Sequence, residues 1–364
     1  TALEQALAAL EGAPFALAFA SGLAAAQAVL LSLECGDRVV ASRDLYGGCH
    51  RLFTKVFSRF GVSFDFVDTT DLGQVRRSLE APAKWLWLET PSNPLLSVTD
   101  LEACAEIAKR RGARTLVDNT FATPILQRPL DLGADLVLHS TTKYIGGHCD
   151  AIGGALVTRD EALHAELRFL QNAAGAVPGP QDCYLLLRGI RTLGLRVQRH
   201  AESAAQLADR LDSLPGVSRV LFPGRRDHPQ HGLASRQFPG FGAVISFELE
   251  GGRDAASAFV RGLKLWTLAE SLGGVRSLIC HPATMTHASL TPAERAWRGI
   301  GDGLLRLSVG LEDRRDLWDD LEHAAGSVRA APRECGTGAD RAALPERAAI
   351  ASHAPARTRE EAVR

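Results

Sequence analysis

Two ionisable residues stand where apolar runs give out: Asp118 closes RTLVD, and Lys143 follows DLVLHS within HSTTKYIGGH, which runs from His139 to His148. A lysine amine can hold an aldehyde as a Schiff base. A carboxylate set against a ring nitrogen keeps that nitrogen protonated, so that the ring draws electrons from a bound amino acid. Pyridoxal 5'-phosphate (PLP) needs both groups, and two strands ending on one sheet edge can deliver both. Taken singly, Asp118 reads as a turn cap and Lys143 as a solvated loop lysine. The hydroxyls of Ser140 and Thr142 favour the cofactor, because they suit a phosphate beside the lysine.

Other segments could complete such a site. FASGLAA, from Phe19 to Ala25, opens a helix-compatible run to Leu33. Small residues there let the backbone N–H groups of Ser21, Gly22 and Leu23, with the positive end of the helix dipole, face a phosphate. The plainer alternative is Ser21 as an ordinary N-cap. DLYGG, Asp44 to Gly48, presents Tyr46, whose ring can stack on a cofactor and whose phenol can move a proton; it could equally anchor the loop. In LETPSNP, Leu88 to Pro94, Glu89 and Asn93 fall on the edge expected for Asp118, although Asn-Pro alone is common turn chemistry. AESLGG, Ala269 to Gly274, and LLRLSVGLE, Leu304 to Glu312, contain Ser271 and Arg306. An Arg in an apolar strand is costly unless paired. Its fork matches a substrate carboxylate or, more plainly, a carboxylate of the protein itself.

The elements that must position these residues follow from pattern. From Leu3 to about Val157 short apolar runs (VVAS, SFDFVD, KWLWLE, RTLVDN, DLVLHS, GALVT) alternate with helical stretches such as Leu101 to Arg111. This alternation predicts an α/β fold with a mostly parallel sheet covered on both faces. Ligands of such sheets gather at the carboxyl ends of the strands. Asp160 to Leu214 reads as long helices broken at VPGP, and the remainder to Gly326 as a smaller α+β part with strands VSRVLFP, GAVISFELE and LLRLSVGLE. The expected division is a PLP-binding large domain over 1–200, a small C-terminal domain over 201–326 and a disordered tail over 327–364.

A net charge of -1 over 364 residues gives neither nucleic acid nor an anionic membrane an electrostatic claim on the chain. The seven cysteines are scattered without CxxC pairs or zinc spacing, which predicts reduced thiols and no metal. No apolar run reaches the roughly 20 residues of a membrane span, and TALEQALAAL lacks the marks of a signal peptide. A cytoplasmic enzyme acting on small molecules is expected.

In order, SGLAA, DLYGG, ETPSNP, VDNTFATP, HSTTKYIGGH, AESLGGVRSL, HPATMTHAS and RLSVGLE resemble the Cys/Met-metabolism family of PLP enzymes, over Thr1 to about Gly326. That family includes cystathionine γ-synthase, cystathionine γ- and β-lyases, methionine γ-lyase and homoserine sulfhydrylases. The resemblance implies fold type I, the aspartate-aminotransferase-like fold, and a homotetramer built from dimers. It also implies that Lys143 carries the cofactor, Asp118 meets the pyridine nitrogen, and Tyr46 stacks on the ring and donates a proton. Ser21, Gly22, Leu23, Ser140 and Thr142 would bind the phosphate, with Asn93 near the ring hydroxyl. Arg306 and Ser271 would receive the substrate carboxylate, and Arg51, in YGGCHR, would lie near the substrate.

LQNAAGAVPGPQDCYL and LWTLAESLGG look most like cystathionine γ-lyases. Glu270 matches an acidic residue of γ-lyases whose substrate carries a distal ammonium, an arrangement favoured by opposite charge. The implied reaction is γ-elimination of L-cystathionine to cysteine, 2-oxobutanoate and ammonia. Alternatives are γ-replacement on an O-acylhomoserine, methionine γ-lyase chemistry, and a truncated PLP-fold protein without catalysis. Three departures from the family pattern stand out. The Tyr and Arg of the YSRxxNPT segment are absent, the chain starting at the threonine-like end of that motif, so either the N-terminal arm is missing from a truncated sequence or phosphate binding is weakened. Arg276 stands where the family generally has Glu. Cys49 and Cys149 replace its usual Thr and Ser.

Overall fold

Seven runs of four or five residues build the larger sheet: β1 (Phe15–Phe19), β2 (Arg38–Ser42), β3 (Ser63–Val67), β4 (Trp85–Glu89), β5 (Arg114–Asp118), β6 (Leu136–His139) and β7 (Gly154–Thr158). The computed structural model describes residues 1–288 and 290–330; of the tail expected over 327–364, residues 327–330 belong to the helix Arg314–Ala330 and the rest lie outside the described residues. Spatial order is β1-β7-β6-β5-β4-β2-β3. Strands β2 to β6 run parallel to one another, whereas β7 is antiparallel to both β6 and β1. The mostly parallel expectation therefore holds, with β7 as its exception. Strands β4, β6 and β7 are buried at every position, as a sheet covered on both faces requires. Pattern does not predict β1, because FALAF merges into the small residues of the FASGLAA turn.

Helix Gly22–Leu31 follows β1, and helix Leu101–Arg110 follows β4. The latter is set by its cap and its stripe. Asp100 accepts the Ala103 N–H at 3.0 Å, and Leu101, Cys104, Ala105, Ile107 and Ala108 turn inward. Three helices, Glu161–Ala173, Pro180–Ile190 and Leu193–Ala208, then carry the chain to the second sheet. The break at VPGP is where pattern predicts it, with Pro180 in a first turn that needs no N–H from it.

The second sheet comprises β8 (Val217–Leu221), β9 (Val244–Leu249), β10 (Thr267–Leu268), β11 (Leu278–Cys280) and β12 (Leu304–Ser308), in the order β10-β11-β12-β9-β8. Only β10 and β11 pair in parallel. These two are also the strands that sequence pattern leaves out, since two or three residues carry no period. Leu3 and Leu7 of the first helix, Ala2–Glu11, share one apolar cluster with Phe247 of β9 and with Leu305 and Leu307 of β12. The sheets are thus packed on a common core, which fixes the edge of one against the other. No helix among the described residues is long and apolar enough to cross a membrane.

Candidate active site

The parallel register places Glu89 beside Asp118 across β4 and β5, and Asp118 beside Leu138 across β5 and β6. Strand geometry alone therefore sets two carboxyl groups side by side at the carboxyl edge, with the Lys143 turn leaving β6 at the same edge. Both carboxyls are buried, 5% and 8% exposed. Asp118 is pushed up by burial, opposed by hydrogen bonds from Thr120 and by the charge of His139; the Thr120 N–H donates to its Oδ1 at 3.0 Å. Glu89 is driven well above the carboxylate range by burial and then by Asp118, although the Tyr46 N–H donates to its Oε2 at 2.6 Å. Neighbouring carboxylates cannot both ionise without large cost. Of the two, Glu89 is driven further toward its protonated form, so Asp118 is the first to ionise.

Lys143 donates from Nζ to Ser271 Oγ at 2.9 Å, so the loop after β10 closes on the turn after β6. Burial, and then the charge of Arg306, lower the amine to about 8. Arg306 itself lies in β12 and is fully buried. It donates to Asn93 Oδ1 at 2.7 Å and to the backbone oxygens of Glu270 and Ser271, each at 3.1 Å. These hydrogen bonds run to neutral oxygens, not to a protein carboxylate, and its Nε has no hydrogen-bond partner. Ser246 of β9 donates to the Pro94 oxygen at 2.6 Å, which ties the Asn93 turn to the second sheet.

The helix Gly22–Leu31 begins against Ser140. A Cβ on Gly22 would stand 3.0 Å from Ser140 Cβ, so any larger residue would have to push Ser140 back by a few tenths of an ångström. Ser21 does act as an N-cap, its Oγ accepting the Ala24 N–H at 3.0 Å. That leaves Gly22 and Leu23 with first-turn N–H groups that have no intrahelical acceptor. Thr142 Oγ1 donates to the Gly153 oxygen at 3.2 Å and accepts its N–H at 3.1 Å, pinning the lysine turn to the approach of β7.

Tyr46 stands at the same edge with its ring 42% exposed, and burial of the rest raises its phenol. Arg51, exposed at the end of helix Gly47–Arg51, is close enough for its charge to act on Tyr46. Glu270 is exposed, and its charge acts on both Tyr46 and Lys143. Cys49 is buried, its thiol held well up by burial and by the charges of Asp118 and Glu89. Cys149 is exposed with a left-handed backbone at φ 59, and a Cβ on Gly274 would come 2.6 Å from its Sγ. Arg276 is exposed, outside this cluster of contacts.

Some residues here carry no sequence signal. Thr120 is one. It serves Asp118 through its N–H, and its Oγ1 accepts the Ser140 N–H at 2.8 Å. Glu11, Asn119 and Gln127 are others, forming a buried polar cluster with His139 behind β5 and β6. Only contacts over long sequence separations reveal them.

A model of the Cys/Met metabolism PLP-dependent enzymes matches residues 1–325. The chain belongs to this family. The cystathionine gamma-synthase of Mycobacterium tuberculosis (strain ATCC 25618 / H37Rv) is 53% identical over 326 residues, covering 89% of this chain and 83% of that protein. The cystathionine gamma-lyase of Bacillus subtilis (strain 168) is 48% identical over 328 residues, covering 90% and 86%. A solved cystathionine gamma synthase from Xanthomonas oryzae pv. oryzae, in complex with cystathionine, superposes with a TM-score of 0.88 at 50% identity, covering 90% of this chain and 85% of that one. The protein thus has the fold type I architecture and the PLP dependence of the Cys/Met metabolism family. Its residues fit the cofactor: a glycine-lined helix start beside Ser140, the buried carboxyl of Asp118 and a buried lysine amine at about 8 converge on one sheet edge.

Proposed function

We propose that this enzyme works at the γ-carbon of sulfur-containing amino acids, and that its reaction is γ-elimination of L-cystathionine to cysteine, 2-oxobutanoate and ammonia. One observation carries the reading: Lys143, with its amine at about 8, touches Ser271, whose backbone is held by a buried Arg306 with a spare Nε. Amine chemistry and carboxylate recognition thereby meet within two hydrogen bonds.

In this reading Lys143 carries PLP, Asp118 meets the pyridine nitrogen, and Tyr46 stacks on the ring. The N–H groups of Ser21, Gly22 and Leu23, with the hydroxyls of Ser140 and Thr142, hold the phosphate. Asn93 lies near the ring hydroxyl while its Oδ1 orients Arg306. When bound, PLP supplies the electron sink for charge that develops on the substrate. Lys143 moves the α-proton and then a β-proton, work suited to an amine that titrates near neutrality. Tyr46 donates a proton to the departing γ-thiol. Arg306 grips the substrate carboxylate with Ser271 beside it, Glu270 draws the distal ammonium, and Arg51 lies near the substrate. The reading keeps a PLP-binding part over 1–200, a smaller part over 201–326, a cytoplasmic location and a homotetramer.

A second reading is γ-replacement on an O-acylhomoserine by cysteine, favoured by the 53% identity to the M. tuberculosis synthase. It uses the same residues until a sulfur nucleophile adds where one would otherwise leave. Separate incubations with cystathionine and with O-acylhomoserine plus cysteine decide between them. Release of 2-oxobutanoate from cystathionine is expected. Cystathionine accumulating in the second mixture, with no 2-oxobutanoate in the first, would overturn the lyase reading.

A further inference from the structure

Glu89 closes β4 at the carboxyl edge, buried, with no part in the chemistry above. A carboxyl withdrawn from water is costly unless it is hydrogen-bonded. Its Oε2 accepts the Tyr46 N–H at 2.6 Å, across 43 residues of sequence. Glu89 is itself set by the sheet: β4 is buried at every position, and the Glu89 N–H donates to Ser42 Oγ of β2 at 3.3 Å. The acceptor for Tyr46 is therefore mounted on a rigid strand, not on the loop that carries the phenol.

The Tyr46 turn has need of such an anchor. Tyr46 stands immediately before the five-residue helix Gly47–Arg51, and its side chain makes no capping hydrogen bond. Two glycines then allow close approach. A Cβ on Gly48 would clash with Tyr46 Cε1, so the ring lies against the Gly48 backbone. A Cβ on Gly47 would come 2.7 Å from the Thr286 backbone oxygen, so a loop after β11 closes on the same turn. The ring is thus braced on its own backbone, and that backbone is tied to the sheet through Glu89. We infer that Glu89 is a positioning residue for Tyr46: its carboxyl oxygen anchors the Tyr46 N–H and so sets where ring and phenol stand. The inference rests on Tyr46 stacking on the PLP ring. The role needs a hydrogen-bond acceptor and no charge. Glutamine keeps that acceptor, leucine removes it, and aspartate draws it back by one carbon.

The test is a double-mutant cycle read on the PLP dissociation constant of the full chain, stripped of cofactor and titrated with PLP. Glu89→Leu and Glu89→Gln are made with Tyr46 in place and again in the Tyr46→Ala background. With Tyr46 in place, the Leu variant is expected to weaken PLP about tenfold, the scale of a lost aromatic stack, and the Gln variant by less than about threefold. In the Tyr46→Ala background neither should cost more than about twofold, because no ring is left to place. A Leu loss that persists there at full size, as an effect through the adjacent Asp118 would, overturns the inference. So does a Gln variant as weak as the Leu variant, or a Leu variant that binds PLP like wild type. Should the Leu variant fail to fold, Glu89→Asp takes its place with the same expectations. Tyr46→Ala by itself separates the two claims. If it leaves PLP affinity unchanged, the stacking role falls and the inference with it. If it weakens binding while Glu89→Leu does not, only the inference falls.

Discussion

The two ends of the same parallel strands treat charge in opposite ways. At the amino ends Arg38, Lys84 and Arg114 face Asp65, Asp37 and Asp160 at 3.4, 3.8 and 3.7 Å, with Lys84 and Arg114 largely in water. Such pairs are solvated and screened, and each contributes little. At the carboxyl ends Glu89, Asp118 and Lys143 are withdrawn from water, and all three are displaced toward their neutral forms. Acidic and basic side chains stand at both ends; desolvation is what differs. Burial moves these groups toward their neutral forms at the carboxyl edge, which is where amine and carboxyl chemistry is wanted.

The contrast breaks first at Lys143. Lys143→Ala is expected to lower kcat/KM by on the order of ten-thousand-fold, as loss of a covalent group does elsewhere, in a steady-state assay of 2-oxobutanoate release. Arg306→Leu should come next. It removes charge-assisted hydrogen bonds to the substrate carboxylate, raising KM by roughly 100-fold, visible in the same assay as substrate concentration is varied.

The depressed amine sharpens the comparison through stability. Lys143 titrates at about 8 in the fold against 10.5 in the unfolded chain. Between those values the unfolded chain holds a proton that the folded one lacks, so this group's contribution to stability rises with pH across that window. Below it the fold carries a buried cation at full cost. Lys143→Met should stabilise the cofactor-free protein by up to roughly 3 kcal/mol at neutral pH, with the gain fading as pH climbs toward 10.5. Urea unfolding measured at several pH values checks this. At the opposite end of the sheet Arg114→Ala should move the same transition by less than about 0.5 kcal/mol at any of those pH values.

How much of this was legible depends on whether a residue's role is written locally. β4 is a continuous apolar run and β5 ends in one, each stopping at a carboxylate, so Glu89 and Asp118 could be placed on an edge from spelling alone. Lys143 was legible for the same reason, one turn past β6. That Glu89 is raised by burial and then by the Asp118 opposite it is a matter of packing and register, which no local pattern encodes. Arg306 could be flagged as an anomaly in an apolar strand, but its partner Asn93 sits 213 residues away. The Glu11–His139 pair spans 128 residues, and its two ends look like a helix terminus and a strand terminus. β10 and β11 were too short to show a period, and their only sign was the Ser271 loop between them.

The most direct measurement is reduction of the PLP-loaded protein with borohydride, followed by digestion and mass spectrometry of the peptides. The cofactor is expected as a single covalent addition on the peptide containing Lys143. A protein that takes up no PLP, or that carries the addition on Lys84, Lys109 or another lysine while Lys143 stays unmodified, would contradict the assignment of the site.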